Sequence, residues 1–324
     1  MGRWFAHGKP RSLQWLPFVP PGLSGSDECH SPDSALAVTK VSLWFLTGSS
    51  FPVLSEAVSR DSKDMDLALN DKVALVSGGA RGIGAAAVVA FLAEGARVVL
   101  VDRDEEASVR LTQGRKGIEI VVGDLTELSV CTAAVDRAIQ RFGRLDVLVN
   151  NAGVNDSIGL EASPDAFLAS LRRNLLPAYT LTHLAQKHLV ASRGCIVNVS
   201  SKVATTGQGG TSGYAASKGA INALTREWAL ALGPSGVRVN CVVPAECDSD
   251  QYQRWFASQP DPTLARAKVA NLVPFEHRLT RPDELADAIL WLSSPRSSHM
   301  TGQLLYVDGG YTHLDRAATS THRW

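Results

Sequence analysis

From Lys72 onward the chain alternates short, unbroken apolar runs with longer stretches of helical period. Runs such as Val98-Val-Leu-Val101 and Val147-Leu-Val149 are apolar at every position rather than at every second one. That pattern marks strands covered by helices on both faces. It predicts seven strands, at residues 72–77, 97–101, 118–122, 145–149, 195–199, 237–242 and 304–307. Strands alternating with helices predict an α/β fold, a doubly wound seven-stranded parallel sheet in one domain over residues 65–324. The stretch 244–281 carries no strand signal and follows the sixth strand. Ligands of such sheets bind beyond the carboxyl ends of the strands, so this stretch is expected to cover a substrate.

Residues 1–64 read differently, being rich in Pro, Ser and Trp, with no sustained period and no apolar run longer than Val41-Ser-Leu-Trp-Phe-Leu46. They are expected to form a disordered extension, or the product of a start upstream of Met65, the natural opening of the domain. No stretch approaches the ~20 apolar residues of a membrane span, and prolines break the early segment where a signal peptide needs a continuous apolar core.

Composition narrows the partners. Lys plus Arg equal Asp plus Glu at 32 each in 324 residues, so no basic excess argues for nucleic acid or an anionic membrane. The five cysteines are scattered and contain no C-x-x-C pair, which gives neither a disulfide framework nor a zinc site. A reducing cytoplasm is the expected location, and no metal is expected.

The segment Val73-Ala-Leu-Val-Ser-Gly-Gly-Ala-Arg-Gly-Ile-Gly84 is a strand running through glycines into the Ala-rich helical stretch 85–93. Glycines at Gly78, Gly82 and Gly84, with Arg81 and Ile83 between them, let the backbone turn sharply and bring a pyrophosphate against a helix N-terminus. A Rossmann-type dinucleotide site is predicted, although the same glycines also suit a plain tight turn. Asp102 ends the second strand eighteen residues past Gly84, close to the roughly 20 at which an acidic side chain meets the adenosine ribose. Its charge repels a 2′-phosphate, so NAD is favoured over NADP, while neighbouring Arg103 could still pair with one. Asp102 could instead cap the next helix.

Tyr214 and Lys218 lie four apart in a predicted helix 214–232 and therefore project from one face. A phenol titrates near 10, so a tyrosinate base at neutral pH needs roughly 4 kcal/mol of stabilisation. A lysine ammonium about 4 Å away at an effective dielectric of 20 would supply about that much, and an oxidised nicotinamide would add further positive charge. Strand 195–199 delivers Ser201 at a carboxyl end, and Asn150-Asn151-Ala152-Gly153 ends the fourth strand.

With these elements in place the chain resembles the short-chain dehydrogenase/reductase family in its Ser-Tyr-Lys form, from about Asp66 to about Arg316. The resemblance implies that Ser201 orients the substrate oxygen, Tyr214 is the acid/base, and Lys218 lowers its pKa and holds the nicotinamide ribose. It implies that Asn174 positions a relay water, and Pro177, which cannot donate to the Arg173 carbonyl, is expected to bend the helix at that level. Asp124 and Leu125 are implied at the adenine end, with Asn151, Ala152, Gly153 and Pro244 along the cofactor, and the assembly is implied to be a homotetramer or homodimer.

Where the family commonly has Pro-Gly after the sixth strand, this chain has Pro244-Ala-Glu246. Glu246, with Asn155, Asp156, Thr206 and Gln208 on neighbouring loops, is expected to form a polar pocket for a hydroxyl-rich substrate. The runs 150–156, 200–209, 243–246 and 307–316 resemble the L-fucose-oxidising branch of the family in bacteria. That implies oxidation of the C1 hydroxyl of L-fucose or a related aldose to its lactone, with Tyr214 as general base. The segment 247–252 departs from that branch. Alternatives are a dehydrogenase of a sugar acid such as a 2-keto-3-deoxy acid, a 3-oxoacyl or ketone reductase, and a non-catalytic nucleotide-binding protein.

Overall fold

The computed structural model describes residues 65–314, so the expectations for residues 1–64 and for the last two positions of the run 307–316 lie outside the described residues. The first half runs β1 (Val73–Ser77), α1 (Gly82–Ala93), β2 (Arg97–Asp102), α2 (Glu105–Thr112), β3 (Ile118–Val122), α3 (Leu128–Phe142) and β4 (Val147–Asn150). Two helices, α4 (Pro164–Asn174) and α5 (Leu176–Ser192), lead to β5 (Cys195–Val199). Then follow α6 (Val203–Thr206), α7 (Ser212–Leu232), β6 (Arg238–Pro244), α8 (Asp250–Ala257), α9 (Pro262–Asn271), α10 (Pro282–Ser293) and β7 (Leu304–Val307). All seven strands pair in parallel in the order β3-β2-β1-β4-β5-β6-β7. The order reverses between β1 and β4, and a crevice opens at that switch point.

The unbroken apolar strands serve two cores. Val73 and Leu75 face a cluster with Val135, Leu181, Leu189 and Ile221, from α3, α5 and α7. Ala74 and Val76 face the other side, against Val88 and Phe91 of α1 and Leu285 and Ile289 of α10. Alternation along the strand thus divides one apolar run between two helical layers.

Strand ends moved where side chains intervene. β4 starts at Val147 rather than residue 145, because buried Asp146 accepts the Val73 amide at 3.0 Å and pairs with Arg144 and Lys72. β6 extends to Pro244, which pairs with Val307. The stretch after it contains α8 and α9 and touches strand geometry only at a Cys247–Thr280 bridge. Pro177 acts as expected: α4 ends at Asn174, and α5 begins at Leu176.

Candidate active site

The glycine turn is built by close packing. Gly78 has φ +63° and Gly82 φ +53°. A β-carbon on Gly84 would stand 2.1 Å from the Gly78 carbonyl oxygen and 2.6 Å from Asn151 Nδ2. Asn151 in turn donates to the carbonyls of Ser77 and Gly78 at 3.0 and 2.9 Å. Gly82 and Gly84 thus lie inside the start of α1 rather than before it, and Gly78 forms the turn ahead of them. That helix has no side-chain cap and no acidic residue in its first turn. By contrast, Asp104 caps α2 by accepting the Ala107 amide at 2.9 Å. Uncapped amides at a helix N-terminus, approached by a backbone without side chains, suit a pyrophosphate.

A cleft of about 550 Å³ runs from this turn across the carboxyl ends of the strands. Gly78, Arg81, Gly82, Ile83, Asp102, Arg103, Asp124, Leu125, Asn151, Ala152, Gly153, Tyr214, Lys218 and Pro244 all line it, while Gly84 packs beneath. Asp102 is not a helix cap: its carboxylate accepts the amides of Ala80 at 3.0 Å and Asp104 at 3.0 Å. Arg81 is drawn to Asp104 at 2.6 Å and across the cleft to Asp250 at 3.6 Å. A hydrogen bond to the Thr126 amide and the charges of Arg103 and Arg173 hold the Asp124 carboxyl below its ordinary value. The segment after β6 supplies Ser249, Asp250, Gln251 and Arg254 to the wall. No pattern in the sequence singles these four out.

At the other end Tyr214 is the third residue of α7, not the first, and Lys218 lies one turn on. Lys218 Nζ donates to the Val199 carbonyl at 2.8 Å and lies 5.5 Å from the centre of the Tyr214 ring. Gly153 sits beside both Lys218 Nζ and Asn174 Oδ1, at 3.2 and 3.3 Å from where its β-carbon would be. Asn174 is buried, its Oδ1 accepting the Val154 amide at 2.7 Å and its Nδ2 reaching Ser170 at 3.4 Å. Asn174→Ala leaves that amide without a partner and should cost about 1–3 kcal/mol, readable as a lowered urea midpoint with unchanged slope.

Burial sets the electrostatics of this pair in the cofactor-free fold. Loss of water pushes the Tyr214 phenol up to about 12, against a downward pull from its hydrogen-bond partner Ser201, and Asp156 raises it further. Burial pushes Lys218 down to about 8. The same burial disfavours the charged form of both groups in the cofactor-free cleft.

Lys218 also gives the cofactor-free fold a signature. Its folded value lies below its unfolded value of ~10.4, so between about pH 8 and 10 the unfolded chain binds the extra proton and stability rises with pH. Wild type should gain up to about 3 kcal/mol on Lys218→Met across that window, measured by urea unfolding without cofactor.

The expected polar pocket is rearranged. Asp156 is turned onto Arg173 and Ser170, at 2.8 and 2.9 Å. Asn155 accepts the Ser157 amide at 3.2 Å, and the Thr206 hydroxyl returns to the Lys202 carbonyl at 3.2 Å. Gln208 is exposed in a loop of three positive-φ glycines. None of Asn155, Gln208 and Glu246 lines the cleft. Glu246 is buried and ion-paired to Lys202 rather than open to it. Local bonds satisfy Asn155, Asp156 and Thr206 at lower cost than leaving them unpaired.

Fold and cleft define a nicotinamide-dependent oxidoreductase acting on CH–OH donors, and the chain belongs to the short-chain dehydrogenase/reductase family. The family model described as enoyl-(acyl carrier protein) reductase matches residues 78–312. The L-fucose dehydrogenase of Bos taurus is 40% identical over 241 residues, 74% of this chain and 88% of that protein. The structure of Cj0485 dehydrogenase superposes with TM-score 0.76 at 36% identity, covering 80% of this chain and all of that one. The ligand-free aldohexose dehydrogenase of Thermoplasma acidophilum gives TM-score 0.71 at 29% identity, covering 79% and 98%. Among the described residues no helix is long and apolar enough to cross a membrane.

Proposed function

We propose that this protein oxidises the C1 hydroxyl of an aldose, L-fucose or a close relative, to the lactone, with NAD as acceptor. The observation that carries this reading is the pairing of a cleft end lined by Tyr214 and Lys218, where Ser201 is hydrogen-bonded to Tyr214, with two sugar-oxidising relatives, one acting on L-fucose and one on aldohexoses by name. NAD bound in the cleft supplies a positively charged acceptor for the hydride leaving C1. Tyr214 Oη takes the C1 hydroxyl proton as that hydride leaves, and Ser201 holds the reacting oxygen. Lys218 and the acceptor's charge together bring the phenol down from about 12. The family resemblance gives Asn174 the water that returns the proton to solvent, and its Oδ1 and Lys218 Nζ both flank Gly153.

NAD is favoured over NADP by the Asp102 carboxylate in the cleft wall. Absorbance at 340 nm with NAD and a panel of aldoses tests the substrate. Turnover of L-fucose or a relative is expected; turnover of a sugar acid or an acyl ketone with no aldose accepted overturns the reading. Comparable efficiency with NADP overturns the role of Asp102.

A further inference from the structure

Asp156 and Ser170 take no part in the steps above, yet they reach the end of the cleft through Asn174. Ser170 and Asn174 lie four apart on α4 and so share a face. They are 0% and 2% exposed. Ser170 Oγ donates to Asp156 Oδ1 at 2.9 Å and accepts from Asn174 Nδ2 at 3.4 Å. Arg173 Nη1, from the cleft wall, donates to the other oxygen of Asp156 at 2.8 Å. A line of hydrogen bonds therefore runs from a guanidinium through a carboxylate and a hydroxyl to the Asn174 amide.

Chemistry fixes the direction of that line. A carboxylate only accepts, so it commits the single proton of the Ser170 hydroxyl and leaves that oxygen as an acceptor. The Asn174 side chain has one donating and one accepting end, and Ser170 takes the donating one. Oδ1 is thereby turned the other way, where it accepts the Val154 amide at 2.7 Å and flanks Gly153 together with Lys218 Nζ. Without the carboxylate the Ser170 proton is free to turn toward Asn174, and the side chain that suits it is the flipped one, with Nδ2 against the Val154 N–H. Two donors then face each other in a buried site, which is unfavourable. The charge of Asp156 also raises the Tyr214 phenol, which acts against its use as a base, so tuning Tyr214 does not account for this carboxylate.

We propose that Asp156, held by Arg173 and acting through Ser170, is a positioning residue that keeps the Asn174 side-chain oxygen on the Gly153 and Lys218 side. This rests on the relay role given to Asn174 in the reading above, and not on which sugar is oxidised. Ser170 has a second duty, because a β-carbon on Gly213 would stand 2.5 Å from its Oγ, so it packs against the first turn of the helix that carries Tyr214. Asp156 is therefore the position at which orientation and packing separate.

The test uses the full chain with NAD and any substrate that the wild type turns over, followed at 340 nm, in Asp156→Ala, Asp156→Asn, Asn174→Ala and the double variant of Asp156→Ala with Asn174→Ala. Asp156→Ala should lower kcat about 10-fold or more, with KM for the substrate and NAD affinity, read by protein fluorescence, unchanged. Its solvent deuterium isotope effect on kcat should rise, because return of the proton to solvent becomes slow. Asp156→Asn, whose amide oxygen still takes the Ser170 proton, should lose less. Once Asn174→Ala is in place, Asp156→Ala should cost nothing further in kcat, since the group it orients is gone. Wild-type kcat in Asp156→Ala, additive losses in the double variant, an unchanged isotope effect or weakened NAD binding would make Asp156 a packing residue of α4 and overturn the proposal. If Asn174→Ala itself keeps wild-type kcat, the relay reading fails, and this proposal with it.

Discussion

Tyr214→Phe loses turnover by about 1,000-fold or more while binding NAD as wild type does, because the substitution removes one oxygen at the cleft and nothing from the glycine turn. The size follows from the role: a positioned general base contributes roughly 100- to 10,000-fold. In this protein it is also the group that Ser201 engages. The phenylalanine ring fills the same space and loses only the hydroxyl. Stopped-flow absorbance at 340 nm with titration of protein fluorescence by NAD separates the two quantities. Activity within about tenfold of wild type would remove Tyr214 from the chemistry.

Gly84→Ala is the second large effect, and it acts on the cofactor instead. The added methyl would stand 2.1 Å from the Gly78 carbonyl oxygen, which belongs to backbone and has no rotamer to yield. The start of α1 must move away from the turn, carrying its uncapped amides with it. NAD affinity should fall at least about 100-fold, with a stability loss of about 1–3 kcal/mol from overpacking. Isothermal titration with NAD and urea unfolding read the two terms. Wild-type affinity in this variant would mean that the turn does not cradle the pyrophosphate. The contrast with Tyr214→Phe is the point of making both: one variant binds and does not turn over, the other does not bind.

Much of the fold was legible because its signals are local. Short apolar runs alternating with helical stretches read as strands sheathed on both faces, and β2 and β5 lie within a residue of expectation. The Tyr214–Lys218 relation follows from helical period alone, and the break at Pro177 from a missing amide. The glycine turn was recognisable, although the sequence could not say that Gly84 is required by the Gly78 carbonyl rather than by its own backbone angles.

The sequence by itself thus determined the strand order of chemistry: where the dinucleotide turn lies, which face carries the tyrosine and lysine, and which loop brings the serine. Only the tertiary structure decided the charges. It placed Lys218 against the Val199 carbonyl, raised the Tyr214 phenol to about 12, and gave the capping of α2 to Asp104 instead of Asp102. It also turned Asp156 away from the expected pocket and joined Glu246 to a lysine 44 residues distant. The reason is physical. Periodicity and backbone stereochemistry are properties of neighbours along the chain, whereas the cost of burying a charge depends on which distant groups fold around it.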